Sequence, residues 1–356
     1  MDRKKTKRIY IGKLPIGDGA TISVQSMTNT KTHDVQATVR QINELAQAGA
    51  DTVRMAIPDM QACKVISSIK SQVSVPLIAD IHFDYKLALG AIEQGIDALR
   101  LNPGNIESQE HVKQVVRAAK TANIPIRIGV NAGSLPKDLL DKYGKPTPEA
   151  MLEAAGRHIS ILENLDFADI KVSLKAHDVQ LTVQAYRAMS DAYDYPLHVG
   201  ITEAGTINTG IIKSAVGIGT LLAEGIGDTL RVSLTGNPVH EVKVGREILK
   251  SLDLRDYGAT LISCPTCGRT NIDLEKLALQ VERRIADIDL PLKIAVMGCV
   301  VNGPGEAREA DLGIAGGIGE GLLFKKGQII RKVAESELVD ELLKEINLLI
   351  EERKKI

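Results

Sequence analysis

Between residues 20 and 235 the chain alternates short apolar runs with longer amphipathic segments. Three runs follow a proline: VPLIADIHF at 75–83, IPIRIGVN at 124–131 and YPLHVGIT at 195–202. Four follow a Gly, Ala or Asp turn: GADTVRMA at 49–56, GIDALRLN at 95–102, FADIKVSL at 167–174 and GDTLRVSL at 227–234. ISVQSM at 22–27 opens the series. These runs have strand length. The intervening segments, such as VQATVRQINELAQA at 35–48 and PEAMLEAAGRHISILENL at 148–165, repeat their apolar residues at helical spacing. Eight strands alternating with helices predict a parallel (β/α)8 TIM barrel, an α/β fold. An open doubly wound sheet would want a G-x-G-x-x-G turn after its first strand, and SMTNTKTHD at 26–34 is not one. Ahead of the first run, RIYIGKLPIG and ATISVQS flank Asp18-Gly19. That pair predicts a β-hairpin able to plug the barrel floor.

Past residue 236 the pattern changes. GNPVHEVKVGREILKSLDLRDYG reads as a partly helical connector over 237–258. TLISC, LKIAVMGC, DLGIAGG, GLLFKKG and QIIRKVA then read as strands. DLEKLALQVERRIADI and the charged C-terminal segment read as helices. The expected organisation is a barrel over 1–236, a linker over 237–258 and a small α+β domain over 259–356.

Composition narrows the function classes. At 356 residues the chain is too long for one ordinary core. Its net charge of −1 gives no bulk attraction for nucleic acid or membrane. With no Trp and three Phe it has few stacking platforms for bases. The N-terminus is basic but carries no apolar signal stretch, and no run reaches the roughly 18 apolar residues of a spanning helix. The expectation is a cytoplasmic protein that binds neither nucleic acid nor membrane. In that reducing compartment clustered cysteines point to metal or catalysis rather than disulfides.

Barrel enzymes keep their chemistry at the C-terminal ends of the strands. Four alternate runs carry a cation late: Arg54, Arg100, Lys171 and Arg231. The others add Asp80 and His82, Arg127 and Asn131, and His198, Thr202 and Glu203, while Asn102, Ser173, Lys175 and Ser233 follow on the cationic strands. One such charge is more often outward-facing or locally paired. Four at equivalent places are better explained by a shared mouth that binds an anion, because an unpaired buried Arg costs several kcal/mol. Arg suits bidentate phosphate or carboxylate contacts, so the expected ligand is small and strongly anionic, such as a diphosphate. The glycine-rich TEAGTINTG at 202–210, SAVGIGTLLAEG at 214–225 and TGNP at 235–238 lie where such barrels seat phosphate.

Three of the four cysteines fall in the last third: Cys264 and Cys267 in SCPTCGR, and Cys299 in MGCVVNGPGE, which ends on Glu306. Cys63, in DMQACKVISSIK, reads as a small apolar residue of a barrel helix. Three thiolates plus a carboxylate could ligate a 4Fe-4S cluster, whereas an all-thiolate set has four cysteines. A dithiol or a zinc site completed by Cys63 or a His stays open on spacing alone.

SCPTCGR at 263–269 and MGCVVNGPGEA at 297–307, with RLNPGN at 100–105 and RIGVNAGSL at 127–135, resemble the 4-hydroxy-3-methylbut-2-enyl diphosphate synthase family over essentially the whole chain. The match is to its two-domain bacterial form. The resemblance implies an oxidoreductase of the non-mevalonate isoprenoid pathway, acting on 2-C-methyl-D-erythritol 2,4-cyclodiphosphate. It implies a 4Fe-4S cluster on Cys264, Cys267, Cys299 and Glu306, reduced by flavodoxin or ferredoxin. Arg54, Arg100, Asn102, Arg127, Asn131 and Lys171 fall where the family binds the diphosphate. Asp80, His82, Ser173, His198, Arg231 and Ser233 complete the expected substrate set. Glu306 is expected to yield its iron to a substrate oxygen, and Glu203 is the candidate proton donor. The family form is a homodimer in which the cluster domain of one chain caps the barrel of the other. The competing reading is a phosphate-binding barrel with a non-catalytic zinc or dithiol module.

Overall fold

The structure is a computed structural model that describes residues 2–286, 288–299, 305 and 307–354. It opens on a hairpin, β1 (Ile9–Ile11) and β2 (Leu14–Ile16), with Ile9 opposite Ile16. The turn therefore falls at Gly12-Lys13, not at Asp18-Gly19. The segment after Asp18-Gly19 could not be the second arm, because it leads into a barrel strand with parallel neighbours on both sides. Asp18 and Gly19 still turn the chain, both at positive φ. Ile9, Ile11 and Ile16 pack on Ile78 and Ala98, which closes the floor as expected.

Each of the eight apolar runs contains a strand: β3 (Ser23–Met27), β4 (Thr52–Ala56), β5 (Leu77–Asp80), β6 (Ala98–Arg100), β7 (Ile126–Asn131), β8 (Ile170–Lys175), β9 (His198–Val199) and β10 (Thr229–Leu230). They form one parallel sheet in the order β8-β7-β6-β5-β4-β3-β10-β9. A parallel bridge from Val172 to Leu197 joins its two ends into a barrel. Period-2 alternation then divides each strand between two faces. Val53, Met55, Leu77, Ala79, Leu99, Ile126, Ile128, Ile170, Val172 and Leu174 are buried on the face turned to the helices. The opposite face carries Gln25, Met27, Arg54, Asp80, Arg100, Arg127, Lys171, Ser173, Lys175, His198 and Arg231. The interior of this barrel is thus charged where most are apolar.

The helices start where the sequence supplies caps. Asp34, Thr147, Asp178 and Asn237 accept backbone N–H groups at their helix starts. The stretch 237–258, read as a linker, holds the helix Pro238–Ser251, which packs on the barrel. A Cβ on its Gly245 would lie 2.9 Å from Leu230 and 3.1 Å from Val24, so glycine lets the helix approach β3 and β10. The chain divides into compact units Met1–Arg255 and Asp256–Ile356.

The second unit is a five-stranded sheet in the order β11 (Thr260–Ser263), β12 (Lys293–Met297), β13 (Leu312–Gly316), β14 (Glu320–Lys325), β15 (Gln328–Ala334). The first three strands run parallel and the last two antiparallel. Helices Leu274–Ile285 and Leu338–Lys354 supply Val281, Ile285, Leu342 and Ile346 to its main core, against Ile294, Val296 and Ile314. Among the described residues no helix is long and apolar enough to cross a membrane.

Candidate functional site

The barrel mouth gathers most of the expected residues. Asp80, at the end of β5, faces Arg54 Nε at 3.9 Å, Arg100 Nη1 at 3.6 Å and His82 Nε2 at 3.5 Å. Burial works to raise the Asp80 carboxyl, but Arg54, His82, Arg100 and Arg127 outweigh it and hold it well below the usual range. Asp80 therefore stays charged and keeps the arginines fanned around it. Arg127 donates to Ser173 Oγ at 2.7 Å across β7 and β8. Its Nε and Nη2, the Lys171 ammonium and His198 Nε2 are buried and find no partner among the described residues.

These orphaned donors are costly in the free protein. Burial pushes the Lys171 ammonium down to about 7, with Arg127 adding to the effect. It lowers Arg54 to about 10 against the pull of Asp80. Burial also drives Arg127, Lys175 and His198 well below their ordinary values. His198 is consequently a neutral ring, held at Nδ1 by Thr229 Oγ1 at 2.6 Å. The carboxylates near these cations are Asp80, Glu241 and Asp228. Asp228 is already bound by Arg3, Thr6 and the Leu197 N–H. Positive charge remains in excess, aimed inward and preorganised for an anion.

Asn102, just past β6, holds the backbone of β7. Its Nδ2 donates to Gly129 O at 2.9 Å and its Oδ1 accepts from Gly129 N at 2.8 Å, so both ends grip one residue of β7. Arg100 Nη2 donates to the same carbonyl at 3.1 Å. Arg231 and Ser233 lie just past β10, half-buried, and Asn131 ends β7 half-buried. Glu203 is exposed at φ 52 beyond β9 and makes no ion pair among the described residues, so it stands apart from the Asp80 cluster.

Three residues of this site fall outside the expected set. Met27 is the sulfur acceptor for Arg54 Nε at 3.2 Å and Nη2 at 3.0 Å. Glu241, buried in the first turn of Pro238–Ser251, accepts from Arg231 Nε at 3.4 Å and from Leu234 N at 3.0 Å. Its signal was an acidic residue just after Asn237-Pro238, a helix start, but the expected boundary lay before it. His158 accepts from Gly104 N at 3.1 Å and pins the turn Pro103–Asn105 beside Asn102. Burial, then Arg100 and Arg157, lowers His158 to about 4, which keeps it an acceptor.

In the second unit the cysteines lie past the C-terminal ends of two adjacent parallel strands. Cys264 follows β11 and Cys299 follows β12, its parallel neighbour in register Ser263 to Val296. Gly298 N points at Cys264 Sγ, 3.2 Å away. A Cβ on Gly298 would lie 2.9 Å from Thr270 Oγ1, so glycine lets the end of β12 approach the Cys264–Cys267 loop. Backbone and side-chain hydrogen bonds of Arg269 lower the exposed Cys267 thiol, with Thr270 adding to them. The three are free thiols, a donor set that fits an iron–sulfur cluster. Among the described residues no group of three or more His, Cys, Asp or Glu side chains is already gathered to hold a metal, and Glu306 lies outside the described residues. Cys63 is buried in the barrel unit, its thiol pushed up to about 11 by burial first.

The family descriptions "GcpE TIM-barrel domain" and "GcpE protein C-terminal domain" match residues 6–246 and 260–348. The chain belongs to the GcpE family. Relatives named 4-hydroxy-3-methylbut-2-en-1-yl diphosphate synthase (flavodoxin) extend over nearly its full length. That of Thermodesulfovibrio yellowstonii is 59% identical over 344 residues, covering 97% of this chain and 99% of the relative. That of Bacillus velezensis is 60% identical over 350 residues, covering 98% and 93%. Among solved structures, dihydropteroate synthase of Xanthomonas albilineans aligns at TM-score 0.51 and 14% identity, over 70% of this chain and 98% of that one. That of Yersinia pestis aligns at TM-score 0.50 and 14% identity, over 69% and 97%. The structural matches share the barrel fold; the GcpE match extends to the cysteine-bearing unit.

Proposed function

We propose that this chain is a flavodoxin-dependent 4-hydroxy-3-methylbut-2-en-1-yl diphosphate synthase. It opens 2-C-methyl-D-erythritol 2,4-cyclodiphosphate with two electrons, expels a hydroxyl as water and yields the linear allylic diphosphate. The observation that carries this reading is the cluster of buried cations in the barrel, with donors of Arg127 and Lys171 left without a partner among the described residues, in a chain so similar to enzymes of that name.

The side chains divide the work. Arg54, Arg100, Arg127, Lys171 and Arg231 take the phosphate oxygens, which anchors the substrate and makes the diphosphate a better leaving group. Asp80 and His82 orient Arg54 and Arg100. Ser173, Asn131, Ser233 and His198 add polar contacts. Asn102 acts through Gly129 by fixing the backbone beside Arg100. Glu203, exposed at the rim, gives a proton to the departing hydroxyl. Cys264, Cys267 and Cys299, with Glu306, would hold a 4Fe-4S cluster, which supplies electrons one at a time when bound. Flavodoxin, or ferredoxin in its place, is the external reductant. The reading carries with it a homodimer working in the cytoplasm.

Metal analysis tests the cofactor. Anaerobically prepared protein should be brown, with about four irons and four sulfides per chain. A colourless protein with one zinc contradicts the reading. Arg100→Met tests the barrel: substrate affinity should fall about 10- to 100-fold with iron content unchanged. Equal loss of both would make Arg100 structural. Glu306→Ala should retain iron poorly and turn over little; full activity would remove Glu306 from the ligand set.

A further inference from the structure

Met27 ends β3, the strand lying between β4 and β10 in the sheet. Its neighbours across the two seams carry Arg54, in register with Met27, and Arg231, just past β10. The thioether receives both guanidiniums: Arg54 through Nε at 3.2 Å and Nη2 at 3.0 Å, and Arg231 through Nη1 at 3.6 Å. Two like charges thus converge on one neutral sulfur. Each also has a carboxylate nearby, Asp80 at 3.9 Å from Arg54 and Glu241 at 3.4 Å from Arg231.

The choice of a thioether has a physical consequence. Sulfur in this form is a weak acceptor. It satisfies the two donors enough to fix their directions without neutralising their charge. A carboxylate at the same place would bind both arginines strongly and repel an incoming phosphate. An aliphatic residue would leave both guanidiniums without an acceptor between them. A phosphate oxygen, a far stronger acceptor than sulfur, can take over the same N–H groups when it arrives.

We propose that Met27 is a positioning residue for anion binding: its sulfur holds Arg54 and Arg231 at a fixed separation as a placeholder that the substrate's diphosphate displaces. This deepens the function proposed above and rests on it for the identity of the ligand class. Met27 touches the two arginines and acts through them.

The test is calorimetric titration of the full-length, cluster-loaded protein with inorganic pyrophosphate, alongside three variants. Met27→Gln keeps a neutral acceptor at similar reach and should bind within about twofold of wild type. Met27→Leu keeps the volume and removes the acceptor, and should bind about three- to tenfold more weakly. Met27→Glu, which the two guanidiniums can accommodate, should lose about 100-fold or more. Iron content should be the same in all four. In turnover the Leu variant should raise KM for the cyclodiphosphate with kcat nearly unchanged. Leu binding as tightly as wild type, or Glu binding no worse than Leu, overturns the placeholder role while leaving the anion site intact. Wild-type protein that binds no pyrophosphate overturns the anion site, and this inference with it.

Discussion

Lys171 sits on β8 with its ammonium buried and unpartnered, and its pKa falls to about 7 where an exposed lysine stays above 10. Between those values the unfolded chain binds a proton that the folded chain does not, so this residue makes stability rise with pH over that window. Below about 7 the ammonium is charged in both states and its burial cost is fully present. An anion reverses the preference, because it stabilises the charged form. Pyrophosphate affinity should therefore be greatest below pH 7 and decline above it, with proton uptake on binding in the higher range. Lys171→Met should flatten that dependence, weaken binding about 10- to 100-fold and raise the thermal midpoint of the ligand-free protein. Titrations at several pH values with calorimetric proton counting check it; an unchanged pH profile would clear Lys171 of the role. The cations of this site were readable because Arg and Lys in a helix-covered strand have few places to go. Met27 and His158 were not. A methionine closing a strand-length run looks like core, and His158 lies inside a helix, Pro148–Glu163, where nothing local marks its reach to Gly104.

At the scale of elements, period and punctuation carried the prediction. All eight runs contain strands, even β9 and β10, of two residues each, because the proline or turn before each run and the apolar alternation within it agree. The hairpin was mislocated because Asp18-Gly19 is a true turn, and the choice between two turns depends on which segment the barrel claims as β3. The helix Pro238–Ser251 read as a connector because its packing on β3 and β10 depends on Gly245, whose significance is tertiary. Close approach also yields a prediction at Gly200, just past β9. A Cβ there would lie 2.4 Å from the Arg231 carbonyl and 2.9 Å from Lys175 Nζ. Gly200→Ala should cost about 1–3 kcal/mol of stability and weaken anion binding by shifting Arg231. Gly219, in the helix Ile207–Ala223, has nothing within 4 Å of its Cβ position, and Gly219→Ala should stabilise by about 0.4–1 kcal/mol. Thermal melts of the pair decide it; equal shifts would mean the clash at Gly200 is relieved freely.

The whole molecule joins two units with complementary chemistry. One barrel holds excess buried positive charge, which suits a diphosphate. One small sheet places free thiols past the ends of two adjacent strands, which suits a cluster able to deliver electrons. The sequence resolved this division because the repeat stops and the cysteines begin at nearly the same place. It left cluster, zinc and dithiol open, since spacing alone does not count the ligands on a metal. The central claim is that these units together reduce a cyclic diphosphate. Its most direct test is anaerobic incubation of the iron-loaded protein with 2-C-methyl-D-erythritol 2,4-cyclodiphosphate and a reduced flavodoxin, followed by phosphorus NMR. Loss of the cyclic signals and growth of those of a linear diphosphate, one product for every two electrons consumed, is the predicted result. An intact cyclic substrate beside a fully loaded, reducible cluster would contradict it.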